Sequence, residues 1–264
     1  MTLARLRGKR VLLTGASRGI GRAIALQLLD AGARLAVVGR DRTVLAELVA
    51  TAGSGSAVLH ADLAQPERVH GLVARAAAAL GGLDAFVSSA GIVEYAHAEV
   101  VTAESIERQH AVNFASPLRI ALDAAGVLPR DGSIVFVAST LALQPAPLTL
   151  GYAASKAALV AATRSLALEL APRGLRVNAV APGPVATDML NVVRYAPGEA
   201  ALTPEAARHR IEEQLASLRA LHPLRRLARP GEVAHTVLYL LTADYVTGNI
   251  LPVDGGLLLG SGAT

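Results

Sequence analysis

Short apolar runs alternate along this chain with longer segments of helical period. Lys9 to Thr14 (KRVLLT) is too short for a helix and reads as a buried strand. A glycine-punctuated turn, Gly15 to Gly21, leads into AIALQLLDAG, whose one-sided apolar spacing and terminal glycine mark a helix and its stop. The couplet then repeats. Arg34 to Gly39, Ala57 to Ala61, Asp84 to Ser88, Ser133 to Ala138, Arg176 to Ala181 and Asn249 to Val253 read as further strands. Helices are expected from Asp41 as cap, over Pro66 to Leu80 with Val69, Leu72 and Val73 inward, and over Glu104 to Ala115. Others are expected from Pro117 to near Leu128, over Tyr152 to Ala171 and over Pro230 to Thr242. Regular alternation predicts a doubly wound parallel sheet with helices on both faces, a three-layer α/β/α fold. The rhythm breaks only between Val185 and His222. There Thr203-Pro204-Glu205 opens a helix with its apolar stripe at Ile211, Leu215 and Leu218, and a lid within about 186–225 is expected.

Composition narrows the classes. A chain of 264 residues that is 52% apolar can fill the core of one large α/β domain, spanning 1–264, and no repeat or linker divides it. The absence of cysteine excludes disulfides and thiolate metal sites. His60, His97, His110, His209, His222 and His235 lack ligand spacing and His70 falls on a polar helix face, so no metal is expected. The net charge of +4 and pI near 9.8 would suit nucleic acid, but the basic residues are interleaved with acids and aromatics make up 3%. An anionic small ligand explains some of that charge. Gly132 to Ser155 is uncharged and long enough to span a bilayer, yet contains Gln144, Pro145 and Pro147, so it reads as strand, loop and buried helix. The opening MTLARLRGKRVLLTG lacks the apolar core and cleavage site of an export signal, and a cytoplasmic location is expected.

Two stretches carry chemistry. Gly15, Gly19 and Gly21, at a strand-to-helix turn, let the backbone approach a pyrophosphate whose charge meets the helix N-terminus. Their spacing differs from G-x-G-x-x-G. Ser139 stands at the end of a strand, and Tyr152 and Lys156 lie one helical turn apart on one face. A phenol beside an ammonium is a tunable proton donor or acceptor, and a nearby hydroxyl can orient the same substrate oxygen. Lys156 is one of two lysines, with Lys9, among 25 basic residues, in surroundings nearly free of charge.

Together these features resemble the short-chain dehydrogenase/reductase family over nearly the whole chain, in its Rossmann-like single-domain form. Thr14-Gly15-x-x-x-Gly19-x-Gly21, with Ser17, Arg18 and Ile20, matches its cofactor loop. Asp62-Leu63 matches its adenine contact, and Ser89-Ala90-Gly91 the segment after the fourth strand, although the family usually has Asn-Asn-Ala-Gly where this chain has Ser88-Ser89-Ala90-Gly91. Pro182-Gly183, with Val185 and Thr187, matches the nicotinamide carboxamide segment, and Val253-Asp254-Gly255-Gly256 the C-terminal signature. Asn113, Ser139, Tyr152 and Lys156 match the catalytic tetrad. The resemblance implies that Tyr152 is the general acid/base and Ser139 holds the substrate oxygen. It implies that Lys156 lowers the tyrosine pKa and binds the nicotinamide ribose, and that the Asn113 carbonyl positions a relay water.

The expected activity is hydride transfer between NADP(H) and a carbonyl/secondary alcohol pair. Gly39 stands where NAD readers place an acid and Arg40 follows it, with Arg18 opposite and Asp41 assigned to the next helix cap, so NADP(H) is expected over NAD(H). An NAD-dependent alcohol dehydrogenase and a non-catalytic nucleotide-sensing protein on the same fold are the alternatives. Val93, Tyr95, Leu141, Leu143, Leu148, Leu150, Met189, Leu190 and Val192 suggest an apolar or acyl-bearing ketone. Similarity to 3-oxoacyl carrier-protein reductases makes an acyl carrier protein a further partner, docking on Arg130 and Arg173. The nearly all-round apolar or small surface of the Tyr152 helix predicts a homo-oligomer, and the resemblance implies a tetramer, with a dimer as the alternative.

Overall fold

All seven expected strands join one parallel sheet in the order β3-β2-β1-β4-β5-β6-β7. They are β1 (Arg10–Thr14), β2 (Arg34–Gly39), β3 (Ala57–His60), β4 (Ala85–Ser88), β5 (Ser133–Val137), β6 (Arg176–Pro182) and β7 (Ile250–Val253). A computed structural model describes residues 3–50, 55–196 and 198–260. The ends of the expected 1–264 span, residues 51–54 and Pro197 within the expected lid lie outside the described residues. Eight α-helices are described: α1 (Gly19–Asp30), α2 (Arg42–Ala50), α3 (Leu72–Leu80), α4 (Ala103–His110), α5 (Ser116–Val127), α6 (Leu150–Leu170), α7 (Pro204–Leu221) and α8 (Pro230–Thr242).

The strands read as continuous apolar runs because both sheet faces are buried. Successive residues of β1 serve opposite layers. Leu12 packs with Phe86, Phe136, Ile120 and Leu159 on the side of α3, α5 and α6. Val11 and Leu13 pack with Ile24, Leu28, Val233 and Val237 on the side of α1 and α8. The order of pairing reverses between β1 and β4, where a crevice opens at the carboxyl ends of the strands. The glycine turn, Ser139, Tyr152 and Lys156 line cavities at that edge.

Two helical expectations are corrected. Pro66 to Leu80 is not one helix: a 3₁₀ turn (Pro66–Val69) is cut from α3 by Gly71 at φ 74°, a left-handed conformation that ends a helical run. The expected helix ending at Ala115 continues into α5 through a π-helical turn, Ala111–Ala115, that holds Asn113. Pro117 has no N–H to offer the carbonyl of residue 113, its α-helical partner, so a widened turn at this point is physically reasonable.

The many arginines also gain an explanation. Several lie below the sheet and donate to the last carbonyls of helices, where both the orphan acceptors and the dipole favour a cation. Arg176, buried at the start of β6, donates to the carbonyls of Leu240, Leu241 and Ala243 at the end of α8. Arg34 serves Leu80, Arg173 serves Ala125, and Arg10 serves Gly81 while pairing with Asp84.

Candidate active site

The glycine turn is built around close backbone approach. Gly15 sits at φ 76°, and a Cβ there would lie 2.6 Å from the Ala90 nitrogen; one at Gly21 would lie 2.0 Å from the Gly15 oxygen. The turn is thereby pressed onto Ser89-Ala90, and α1 starts behind it with no side-chain cap on its first amides. Those amides line a crevice of about 480 Å³ together with Arg18, Gly39, Arg40, Asp62, Leu63, Ser89, Ala90 and Gly91. Ser17, Gly19, Ile20 and Gly21 line it too. The Ser89 hydroxyl is buried at this wall without a hydrogen-bond partner. Uncapped helix amides, a glycine cradle that any side chain would fill and an orphan hydroxyl together fit a dinucleotide pyrophosphate.

Arg18 and Arg40 are exposed, and among the described residues neither side chain has a hydrogen-bonding or ionic partner. Asp41 is spoken for: its Oδ1 accepts from the Val44 amide at 3.1 Å, as a cap for α2 should. Asp62 accepts from the Ala64 amide at 3.1 Å, which fixes the turn after β3.

A second cavity, about 460 Å³, adjoins the first through shared walls at Ile20, Ser89, Gly91, Val93, Thr187 and Met189. Ser139, Tyr152, Lys156, Pro182, Gly183 and Val185 line it. Ser139 follows β5, and its Oγ accepts from the Leu141 amide at 3.1 Å. Tyr152 and Lys156 project from the first turns of α6, both buried. The Lys156 Nζ donates to the Val137 carbonyl at 2.8 Å and stands 5.8 Å from the Tyr152 ring centroid.

Electrostatics at this pair differ from the expectation that the lysine lowers the tyrosine. Burial pushes the Tyr152 phenol up to about 12, and hydrogen bonding with Ser139 draws it only part of the way back. Burial brings the Lys156 ammonium down to about 8. The physical reason is that both groups are desolvated while the ammonium is held by a backbone carbonyl. A protonated phenol at neutral pH is a proton donor in waiting.

Asn113 does not line either cavity. It is fully buried behind them, where its Oδ1 accepts from the Ile92 amide and its Nδ2 donates to the Ile92 carbonyl and the Ser155 hydroxyl. This side chain ties the segment after β4 to α6. Among the described residues the Ser88-Ser89 pair makes no equivalent side-chain tie, and the segment is held to β1 by the Ser89 amide donating to the Thr14 carbonyl at 3.2 Å and the Ala90 amide to the Thr14 hydroxyl at 3.5 Å.

Of the expected apolar lining, Val93, Tyr95, Leu141, Met189 and Leu190 face the cavity. Leu143, Leu148, Leu150 and Val192 do not: Leu143 and Leu150, at the two ends of the loop before α6, and Val192, between β6 and α7, are exposed. Sequence reasoning missed Arg194, Leu218, Leu221, Leu257 and Leu258. The last two are delivered by Asp254, whose carboxylate accepts from the Gly256 and Leu258 amides and folds the chain back over the site. Among the described residues no cluster of His, Asp and Glu could hold a metal, and no helix is long and apolar enough to cross a membrane.

A family profile described as enoyl-(acyl carrier protein) reductase matches residues 15–258. Versicolorin reductase 1 of Aspergillus parasiticus is 35% identical over 261 residues, covering 96% of this chain and 97% of its own. The chain belongs to the short-chain dehydrogenase/reductase family. Glucose 1-dehydrogenase of Gluconobacter oxydans is likewise 35% identical, over 97% of this chain and 94% of its own. A short-chain dehydrogenase from Burkholderia cenocepacia, solved in complex with NADP, superposes with a TM-score of 0.80 at 33% identity, over 96% of this chain and 99% of that one. The short-chain dehydrogenases/reductases are oxidoreductases that use NAD(P), and this chain has two adjoining cavities, one with a glycine cradle and one with a tyrosine.

Proposed function

We propose that this chain is an NADPH-dependent carbonyl reductase that interconverts a ketone and a secondary alcohol. The observation that carries the reading is the convergence of Ser139, Tyr152 and Lys156 on a cavity whose wall is shared with the glycine crevice. The bound nicotinamide supplies the hydride. Ser139 and Tyr152 hold the substrate oxygen, and Tyr152 gives it a proton. Lys156 offers its remaining N–H bonds toward the nicotinamide ribose, and the Asn113 carbonyl positions a water behind it. Segment 186–225 acts as a lid, with Met189, Leu190, Arg194, Leu218 and Leu221 closing the substrate cavity. NADPH oxidation against a panel of ketones tests the reading; the Discussion gives its decisive variant.

The pH dependence follows from the two buried groups. Tyr152 stays protonated across the neutral range, whereas Lys156 is charged below about 8 and neutral above it. Because kcat/KM reports the free enzyme, its value for ketone reduction should be flat from about pH 6 to 7 and fall about tenfold per unit well above Lys156's pKa. A profile that rises through that region would contradict the assignment.

Preference for NADPH rests on Gly39 in the acid position, and on Arg18 and Arg40 unpaired at the rim of the crevice. Two guanidiniums suit a 2′-phosphate, each charge-assisted bond contributing about 1.5–3 kcal/mol. Arg40→Ala should therefore weaken NADPH by about tenfold or more and leave NADH little changed, read as kcat/KM for each cofactor. A parent enzyme that favours NADH would overturn this.

For partners, Arg173 is committed to the Ala125 carbonyl, which leaves carrier docking to Arg130 alone, and a free small-molecule substrate is the better reading. A homo-oligomer is supported by the outer face of α6, where Ala154, Ala157 and Ala161 are exposed and Leu168 is 81% exposed. Leu122 and Val127 on α5, which packs beside α6, are exposed as well. Light scattering at micromolar concentration should give a dimer or tetramer, and Leu168→Arg should shift it toward the monomer.

A further inference from the structure

Among the described residues, Arg194 is the only basic side chain besides Lys156 that lines the substrate cavity. Its guanidinium lies over the Tyr95 ring, Cζ 4.3 Å from the centroid, and its Nη2 donates to the Tyr95 hydroxyl at 3.4 Å. Its Nε is buried and has no acceptor, and no carboxylate pairs with it among the described residues. The backbone beneath it is held: the Arg194 amide donates to the Gln214 Oε1 at 3.0 Å, and the Gln214 Nε2 donates to the Val192 carbonyl at 3.2 Å. A guanidinium that is stacked and anchored, lines a largely apolar cavity and has no carboxylate partner among the described residues calls for a ligand acceptor at its remaining Nη hydrogens. Tyr95 and Arg194 line the same cavity as Ser139, Tyr152 and Lys156, so this end and the reacting end belong to one binding site.

We propose that Arg194 and Tyr95 form an anion-reading end of the substrate cavity, so that the preferred ketone carries an anionic oxygen group, carboxylate or phenolate, away from its reacting carbonyl. This rests on the carbonyl-reductase reading and sharpens it: the cavity's apolar walls would take the body of the substrate, and the Arg194 fork its charged end. The planar stack on Tyr95 also favours a flat substrate, which can continue it.

The test measures binding apart from turnover. Dissociation constants for 4-acetylbenzoate and the uncharged 4-acetylbenzamide are determined by calorimetry with saturating NADP⁺, in the parent, Arg194→Met and Arg194→Lys. The phenolate arm repeats this with 4-hydroxyacetophenone below and above the pH at which it ionises. We expect the anion to bind about 10- to 100-fold more tightly than the neutral ligand in the parent, as hydrogen bonds to charged groups imply. That ratio should collapse toward one in Arg194→Met and be partly kept in Arg194→Lys, which retains the charge without the fork. The arm that shows the preference identifies the anion. No preference for either anion in the parent, or a preference that survives in Arg194→Met, overturns the inference. Turnover of these ketones with NADPH reports separately on the proposed function: an anion bound selectively but never reduced sinks that reading and leaves the anion site standing.

Discussion

Tyr152→Phe should lower kcat/KM for ketone reduction by about 10³-fold while cofactor affinity stays within about twofold of the parent. The size follows from what is removed. The ring remains to pack in its buried position beside Lys156, and only the transferable proton and its hydrogen bonding with Ser139 are lost. General acid catalysis by a positioned group contributes about 10²- to 10⁴-fold. Burial holds this phenol up to about 12, so the parent is fully protonated at neutral pH and the variant loses a donor present in every molecule. Steady-state kinetics with a fluorescence titration of NADPH separate the two effects. Equal losses in turnover and cofactor affinity would point to a collapsed site instead.

Gly21→Ala should abolish detectable cofactor binding and lower stability by several kcal/mol. A Cβ at this position would stand 2.0 Å from the Gly15 oxygen and 3.2 Å from the Ser89 hydroxyl, so it strikes backbone that cannot rotate away. Overpacking in a core typically costs about 1–3 kcal/mol, and here the displaced atoms belong to the turn that lines the proposed cofactor crevice. The matched control is Gly126→Ala in α5, where an added Cβ meets nothing within 4 Å. That change should stabilise the chain by about 0.5–1 kcal/mol through helix propensity. Thermal unfolding of both variants, with and without NADPH, checks the contrast, and a Gly21→Ala variant that still gains stability from NADPH would contradict the cradle.

Much of this architecture was legible because its signals are local. The strands appear as apolar runs, and Asp41 and Thr203 cap the helices that follow them, accepting from the Val44 and Ala206 amides. The glycine turn is legible too, since the close backbone approach at Gly15 and Gly21 needs glycine in fixed places. What escaped depends on contacts between distant segments. Gly71 was invisible as a helix break because the apolar spacing of Val69, Leu72 and Val73 continues across it. The π-turn has a local counterpart in Pro117, but the ties its Asn113 makes to Ile92 and Ser155 join segments distant in sequence. Arg194 sits in a stretch without period, and its meaning comes from Tyr95, 99 residues earlier. The tyrosine's upward shift was missed for a similar reason: helical spacing shows that Lys156 is near, but burial, which decides the sign, belongs to the packed core.

The central claim is that Tyr152 serves a hydride transfer from NADPH to a carbonyl. The most direct measurement incubates parent and Tyr152→Phe with NADPH deuterated at the nicotinamide C4 and a pool of ketones, then reads deuterium in the alcohols by mass spectrometry. The account predicts that the parent forms alcohols with one deuterium on the former carbonyl carbon and that Tyr152→Phe forms almost none. Alcohol formation at equal rates in both proteins, or none from any ketone in the parent, would contradict it.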